Sequence, residues 1–490
     1  MSFFCGLGRQ ILALILGLVF LSIVTDASIE ASRNLNASDV QAMIYGGKQT
    51  DFNNSIILGN IDIVALRIDN PLHFNQTHFK GRVNFNNVTF NGMVYFIGSQ
   101  FDSIADFKSS RFNNSANFSD SNFEGISFNY TVFNGVADFK GSTFNGNTYF
   151  DASNFFKSFI TFENSTFNRK ANFYNSIFSK FMTVFRGSTF NGDAEFDSTE
   201  FNGITQFSHF GAYDSGPAKI TIFNSKAIFS HSAFKGNIDF SGADFKGDAN
   251  FVNSVFDSSK EKVIRFSFSQ FDKNAYFDNS MFNGSSEFNW CQFSGDASFE
   301  NTKFNGVLNL TRTRYDNFYI YWRDITNLSY DDATYLSLIN NFKKLGYFDD
   351  ANNCYYDYMN LRRDRAPNFS KATEYFLLDS ICGYGVRWTY TIRSALYTWI
   401  FFALLYYFSG GHLLKGSLVF SAVAVFSLPK EIYGNDDEYD TLMKSLLPDV
   451  GYVGIFNKIS LRTIFALERI IGWGLLILMI NTISRAMIYY

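Results

Sequence analysis

The residues of this 490-residue chain best suited to chemistry are carboxylates near its C-terminal end. Glu431, Asp436, Asp437, Glu438 and Asp440 fall within one short polar stretch, PKEIYGNDDEYD (429 to 440). Repeated around an oligomer, such a cluster forms a ring of negative charge that concentrates cations at a vestibule. An ordinary solvated loop carries the same residues, and both readings stay open. Glu468, followed by Arg469, opens the last apolar run; it is either an interfacial ion pair at a helix start or a carboxyl with a gating role. Other chemistries find little support. Cys5, Cys291, Cys354 and Cys382 are too widely spaced for a metal knuckle or redox pair, and the five histidines form no HExxH or HxH motif. No serine elbow, Walker loop or paired acids with fixed spacing is present, so neither an enzyme nor a cofactor is expected.

Composition points to a repeated structural demand instead. The chain holds 61 Phe and 27 Tyr against 5 Pro and 5 Trp, with Asn, Ser and Gly between them. The net charge of −4 comes without a basic stripe, so no nucleic-acid partner is expected. Residues 1–28 combine Arg9, an apolar run from Ile11 to Val24 and the small-residue site Thr25-Asp26-Ala27, the plan of a signal peptide, or of an anchor if it stays uncleaved. The run is short for a membrane span. Twelve N-x-S/T sequons, among them Asn75, Asn87, Asn164 and Asn309, would suit glycosylation of an exported surface, although a chain rich in Asn, Ser and Thr also produces them by chance.

From Phe79 the aromatics keep time. Phe85, Phe90, Phe96, Phe101, Phe107, Phe112, Phe118 and Phe123 follow in alternating steps of five and six, and the clock resumes at Phe139 and at Phe240. Two Phe five apart would lie about 140° around a helix, and the Asn, Gly, Ser and Asp between them favour turns, so the eleven-residue period is not helical. Two residues before each Phe stands a small residue, Ala in one class (Ala105, Ala116, Ala137) and mostly Ser in the other (Ser142, Ser153, Ser188). Spacing two is the strand signature: small residue and Phe point inward, and the residue between them faces water. Asn-Gly after the second Phe, as in Phe144-Asn145-Gly146 and Phe190-Asn191-Gly192, is expected to supply the corner's backbone freedom. Such a fixed period means a solenoid whose coils pair with their neighbours.

Stretches such as ADFKGSTFNGNTYFDASNF (137 to 155) and IDFSGADFKGDANFVNSVF (238 to 256) resemble the pentapeptide-repeat family in a Phe-centred form. The resemblance implies an all-β solenoid, a right-handed quadrilateral β-helix with about 22 residues per coil and a rod roughly 50 Å long. Residues 81–318 would form it. Residues 37–80 would supply a capping helix (ASDVQAMIYGG) and a first coil with aliphatics in place of Phe, because an open coil end exposes unpaired strand edges. The interruptions at Gly211 to Ala218 and at 257 to 265 should bulge as loops, the places where an otherwise uniform rod would bind a partner.

Beyond Tyr315 the period becomes helical. Residues 330–375 are expected to form an α-helical hairpin broken at Gly346. Residues 383–490 hold two long apolar runs, SALYTWIFFALLYYF (394 to 408) and IIGWGLLILMINTI (470 to 483), around the shorter SLVFSAVAVFSL (417 to 428). Span, short re-entrant helix, span is the layout of a pore module. The segment is similar to the two-helix potassium-channel module, a two-span α-helical transmembrane unit with Glu468 near the start of its inner helix and Gly472 where that helix could bend. A potassium filter needs a TVGYG-like strand; here only Tyr433-Gly434, beside Asp436 and Asp437, matches it, so selectivity for potassium is not implied.

These features imply a non-enzymatic, multi-pass membrane protein that meets lipid, forms a homo-oligomer through its C-terminal helices and takes a monovalent cation, as a channel or a degenerate relative of one. The alternative is a membrane-anchored surface rod for adhesion or partner binding without conduction. A DNA-mimicking rod fits poorly with a leader and membrane helices. The leader places the β-helix outside the cytoplasm, whereas Arg362, Arg363, Arg365, Lys371, Arg387 and Arg393 before the first span favour the cytoplasmic side.

Overall fold

The computed structural model describes residues 33–47, 50–156, 159–208, 219–257, 263–410, 414–426 and 461–487. The leader, the 211–218 insertion, residues 258–262 and the whole acidic stretch 429–440 lie outside the described residues. The chain divides into two compact units, Met1–Ser329 and Tyr330–Tyr490.

In the first unit most coils contain four very short strands, and in a few a longer strand such as Gln100–Asp106 takes the place of two. His78–Phe79, Val83–Asn84, Thr89–Phe90 and Val94–Tyr95 make one such coil. Each pairs in parallel with its counterpart 22 residues later: Phe79 with Phe101, Val83 with Ala105, Phe90 with Phe112 and Val94 with Ala116. The columns join into two 22-stranded sheets. The solenoid has about 13 turns. At roughly 4.8 Å per turn that is roughly 60 Å, longer than expected because coils begin before residue 81 and continue to Leu328.

The inward pattern is the expected one: Ala137 and Phe139 are buried while Asp138 between them is partly exposed. Parallel register puts like residues above one another, so the Phe rings form continuous stacks. Phe173 and Phe196 lie 4.7 Å apart with planes 1° from parallel, as do Phe185 and Phe207. Across the core the same rings meet edge to face, with Phe173 and Phe185 at 5.6 Å and 85°. Parallel stacking along the rod and edge-to-face contact across it are thus combined in one core.

The division between Ala and Ser classes has a specific cause. The Ser-class residue follows a left-handed corner, such as Ser109 (φ 59°) before Ser110, and its hydroxyl donates to a Phe carbonyl of the preceding coil. Ser153 Oγ donates to Phe128 O at 2.6 Å, Ser165 to Phe139 O at 2.7 Å and Thr199 to Phe173 O at 2.8 Å. The Phe107 carbonyl accepts both the Ser110 N–H (3.1 Å) and the Thr131 hydroxyl (2.7 Å), using both of its lone pairs. Cys291 occupies the same place with a thiol, its Sγ 2.8 Å from Phe266 O. The Ala class faces the strand half of the coil, where the carbonyls are already engaged in the ladders.

The Asn-Gly glycines do something other than expected. Gly146 and Gly192 are absent from the positive-φ residues, and the left-handed corners fall in the other repeat class, mostly on Asn87, Asp120, Asn164 and similar non-glycine residues. A Cβ on Gly146 would stand 1.8 Å from the Glu124 carbonyl oxygen, and one on Gly192 would be 2.4 Å from the Arg169 carbonyl carbon. These glycines are required by the approach of the coil below. The neighbouring asparagines form an outer ladder, in which each side-chain amide donates to the side-chain oxygen of the asparagine one coil earlier: Asn168 to Asn145, Asn191 to Asn168 and Asn224 to Asn191, at 2.7–2.9 Å.

A short helix and an edge strand lie at the start of the solenoid. Helix α1 (Ala37–Tyr45) places Val40 and Ile44 against the first coil, whose Ile57, Ile63 and Ile68 are buried where Phe stands later, while Ile61 takes the place that Val83 and Ala105 hold in the next coils. The strand Arg33–Asn36 pairs with Ser55–Leu58, so the open edge of the first coil is covered.

In the second unit the hairpin is α2 (Asp332–Lys344) and α3 (Phe348–Asp364). Asp331 caps α2 by accepting the Thr334 N–H at 3.0 Å, Gly346 (φ 77°) turns the chain, and the rings of Tyr335 and Tyr358 pack at 5.4 Å. Then follow α4 (Asn368–Glu374), a π-helical turn Tyr375–Asp379, short turns to Gly385, and three apolar helices: α5 (Trp388–Gly410), α6 (Leu414–Phe426) and α7 (Leu461–Met487). Among the described residues one helix is long and apolar enough to cross a membrane, Thr463–Thr482 within α7, with a mean hydropathy of 1.9. The run 394–408 is helical within α5 but does not meet that measure.

Gly146→Ala is expected to destabilise the solenoid by about 1–3 kcal/mol through overpacking, read as a lower urea midpoint by circular dichroism. Ser153→Ala is expected to lose about 1 kcal/mol for the missing bond to Phe128 O, whereas Ser153→Thr, the residue type that other coils use there, should leave the midpoint unchanged.

Candidate functional site

Helix α7 presents Ile464, Glu468, Gly472 and Leu475 on one buried stripe, the spacing that keeps residues on a single helical face. Glu468 is fully buried in this stripe. Its two oxygens are held by different helices: Oε2 accepts from the Tyr406 hydroxyl of α5 at 2.6 Å, and Oε1 lies 2.5 Å from the Ser421 Oγ of α6. Ser421 Oγ is also 2.8 Å from the Trp399 carbonyl, and the Trp399 indole N–H donates to the Leu418 carbonyl at 2.8 Å. One carboxyl thus ties three helices together.

Small residues permit the approach. Ala403 on α5 and Ala424 on α6 are fully buried, and Ser417, one turn before Ser421, is buried with no hydrogen-bond partner for its hydroxyl among the described residues. Gly472 sits against the end of α6, where a Cβ would be 2.3 Å from the Val425 carbonyl oxygen. Helix α7 continues through Gly472, and the glycine there admits close packing against α6. Arg469 is not the partner of Glu468. Consecutive residues on a helix diverge by about 100°, and Arg469 faces outward beside Phe465, Ala466, Ile470 and Trp473 along an open groove of about 460 Å³.

Of the residues singled out from sequence, the structure places Glu468 and Gly472 together on the α6-facing stripe. Tyr433, Gly434, Asp436 and Asp437 lie outside the described residues. Tyr406, Ser421 and Trp399 were missed. Their signal was present as hydroxyls and an indole N–H inside apolar helices, each needing a partner. A carboxyl in apolar surroundings, held by two neutral hydroxyl groups, can bind a proton or a cation and couple that event to the packing of the helices that hold it.

The family model described as Pentapeptide repeats matches in nine copies, covering residues 74–122, 96–140, 128–177 and 266–314. These are coils of the first unit, so residues 74–177 and 266–314 of the solenoid are pentapeptide repeats. No curated protein and no solved structure matches the chain.

Glu468→Leu is expected to destabilise the three-helix packing by about 1–3 kcal/mol, because the Tyr406 hydroxyl loses its buried acceptor, while Glu468→Gln keeps an acceptor and should be milder. Thermal unfolding of the detergent-solubilised full chain measures both.

Proposed function

We propose that the chain is a non-enzymatic membrane protein in which a pentapeptide-repeat rod is joined to an oligomeric, channel-like helical module that passes a monovalent cation. The observation that carries this reading is Glu468, fully buried within the apolar stretch Thr463–Thr482 and bonded to α5 and α6. An anchor has no use for such a group, since a charged or ionisable side chain at membrane depth opposes insertion.

The helix lengths support the same reading. The described part of α6 has 13 residues, or about 20 Å, and the apolar run that contains it ends in sequence at Pro429, short of a hydrocarbon layer of about 30 Å. It stands between helices of 23 and 27 residues, the long-short-long order in which a pore module carries its re-entrant helix. Ser417 and Ser421 give this short helix a polar seam towards Glu468. On the outside, Ile400 and Phe401 of α5 and Ile470, Ile477 and Ile480 of α7 are exposed, an apolar surface for lipid and for further copies of the chain. The carboxylates of 429–440, Asp436 and Asp437 among them, would gather cations at the mouth. Without a TVGYG-like strand, selection of potassium over sodium is not part of the proposal. The leader puts the rod outside the cytoplasm.

The test is sodium and potassium flux into liposomes carrying the purified chain. Flux is expected for both ions, falling about tenfold or more in Glu468→Gln, and falling also in the double variant Asp436→Asn, Asp437→Asn. A folded oligomer that passes neither ion would leave the helices as an anchor and make the rod the functional part.

A further inference from the structure

Between the hairpin and α5 the chain carries an unusual surface. Phe369 is 83% exposed, Phe376 65% and Leu377 62%, with Tyr375 and Leu378 beside them also open. Four consecutive large apolar residues facing outward (375 to 378) are a fault in a water-facing helix unless something apolar covers them. The segment leads within ten residues into α5, whose first residue, Trp388, is itself exposed. Trp at the start of an apolar helix marks the level of lipid headgroups.

The charges of the same segment are unbalanced. Residues 362–393 contain six basic and three acidic side chains. Each acid is already engaged: Asp364 with Lys371 at 3.0 Å, Glu374 with Arg362 at 3.5 Å, and Asp379 with Arg363 and the Tyr356 hydroxyl. Arg387 and Arg393 meet tyrosine rings instead, Arg387 at 4.8 Å from the centre of Tyr356 and Arg393 at 4.3 Å from that of Tyr390, and Arg393 also donates to the Ser380 carbonyl. Ring stacking holds a guanidinium in place while leaving its edge for an anion.

We propose that residues 368–393 lie in the interfacial layer of an anionic bilayer, with Phe369, Phe376 and Leu377 among the acyl chains and Arg387 and Arg393 on phospholipid phosphates. The occupant follows from the combination: apolar side chains and unbalanced guanidinium groups side by side fit a lipid with an anionic head, whereas a protein partner would need carboxylates placed against an apolar core. The π-helical turn at Tyr375–Asp379 shifts the helical register by one residue, which brings Phe376 and Leu377 outward together while Asp379 turns inward to Arg363. The inference rests on the membrane reading above and adds to it a lipid site outside the span.

A nitroxide label at Phe376→Cys, compared with one at Ile477→Cys on the outward face of α7, tests depth in the full chain carrying Cys5→Ser. Burial of Cys291, Cys354 and Cys382, which pushes their thiols up, keeps them unlabelled. In liposomes containing phosphatidylglycerol both labels are expected to be open to oxygen and shielded from a water-soluble nickel chelate. Nickel access at 376 with lipid contact at 477 overturns the interfacial site and leaves the membrane reading intact; nickel access at both overturns the membrane reading itself. Shielding of 376 from both probes means that protein covers the segment, which also overturns the proposal. For the headgroup, enrichment of phosphatidylglycerol over phosphatidylcholine around the chain is expected to fall about tenfold in Arg387→Gln, Arg393→Gln and to return in Arg387→Lys, Arg393→Lys. Unchanged enrichment in the glutamine variant overturns the assignment of those two arginines.

Discussion

Parallel return of the chain at the strand spacing governs the whole first unit. Once a coil comes back roughly 4.8 Å above itself in register, every inward residue meets its own counterpart, and three separate demands follow. The rings must be flat and alike to stack, as Phe173 on Phe196 shows. The corner carbonyls left over by the strand ladders need donors at that same spacing, which Ser153 and Thr199 provide. Wherever the next turn comes too close for a Cβ, as at Gly146, only glycine fits. Stacked Phe, corner Ser and packing Gly are thus three consequences of one distance.

The same constraint explains why irregular coils are tolerated. Phe123 pairs with Phe144 after 21 residues, Phe144 with Phe167 after 23, Phe256 with Phe282 after 26 and Phe201 with Phe234 after 33, yet the rings remain within 4.4–5.3 Å throughout. Inward positions cannot move without losing stack and ladder together. Extra residues must therefore leave at the corners, where loop closure adds little free energy with length.

The second unit is held together differently. Its apolar helices cannot gain stability by repetition, so their mutual placement rests on a few polar groups that have no alternative partner in apolar surroundings. Glu468, Tyr406 and Ser421 form such a set, and Gly472 with Ala403 and Ala424 lets the helices approach closely enough for the bonds to form. Arg363 plays a comparable part before α5, joining Asp379 and the Tyr384 hydroxyl at the turn into the apolar helices.

The sequence by itself determined the solenoid, its inward Ala and Phe and the helical character of the hairpin and of the apolar runs after it, because periodicity and residue type are local properties that a period of 5, 6 or 3.6 exposes directly. It also marked Glu468, since an acid in an apolar run is conspicuous. Only the tertiary structure decided what that acid touches. Tyr406 and Ser421 lie 62 and 47 residues away, on helices whose facing depends on packing. The purpose of the Asn-Gly pairs was likewise hidden, because the backbone that excludes a Cβ at Gly146 belongs to another coil. Residues 375–378 carry no pattern in sequence that separates exposed from buried; their exposure, within a π-helical turn, is a property of the fold.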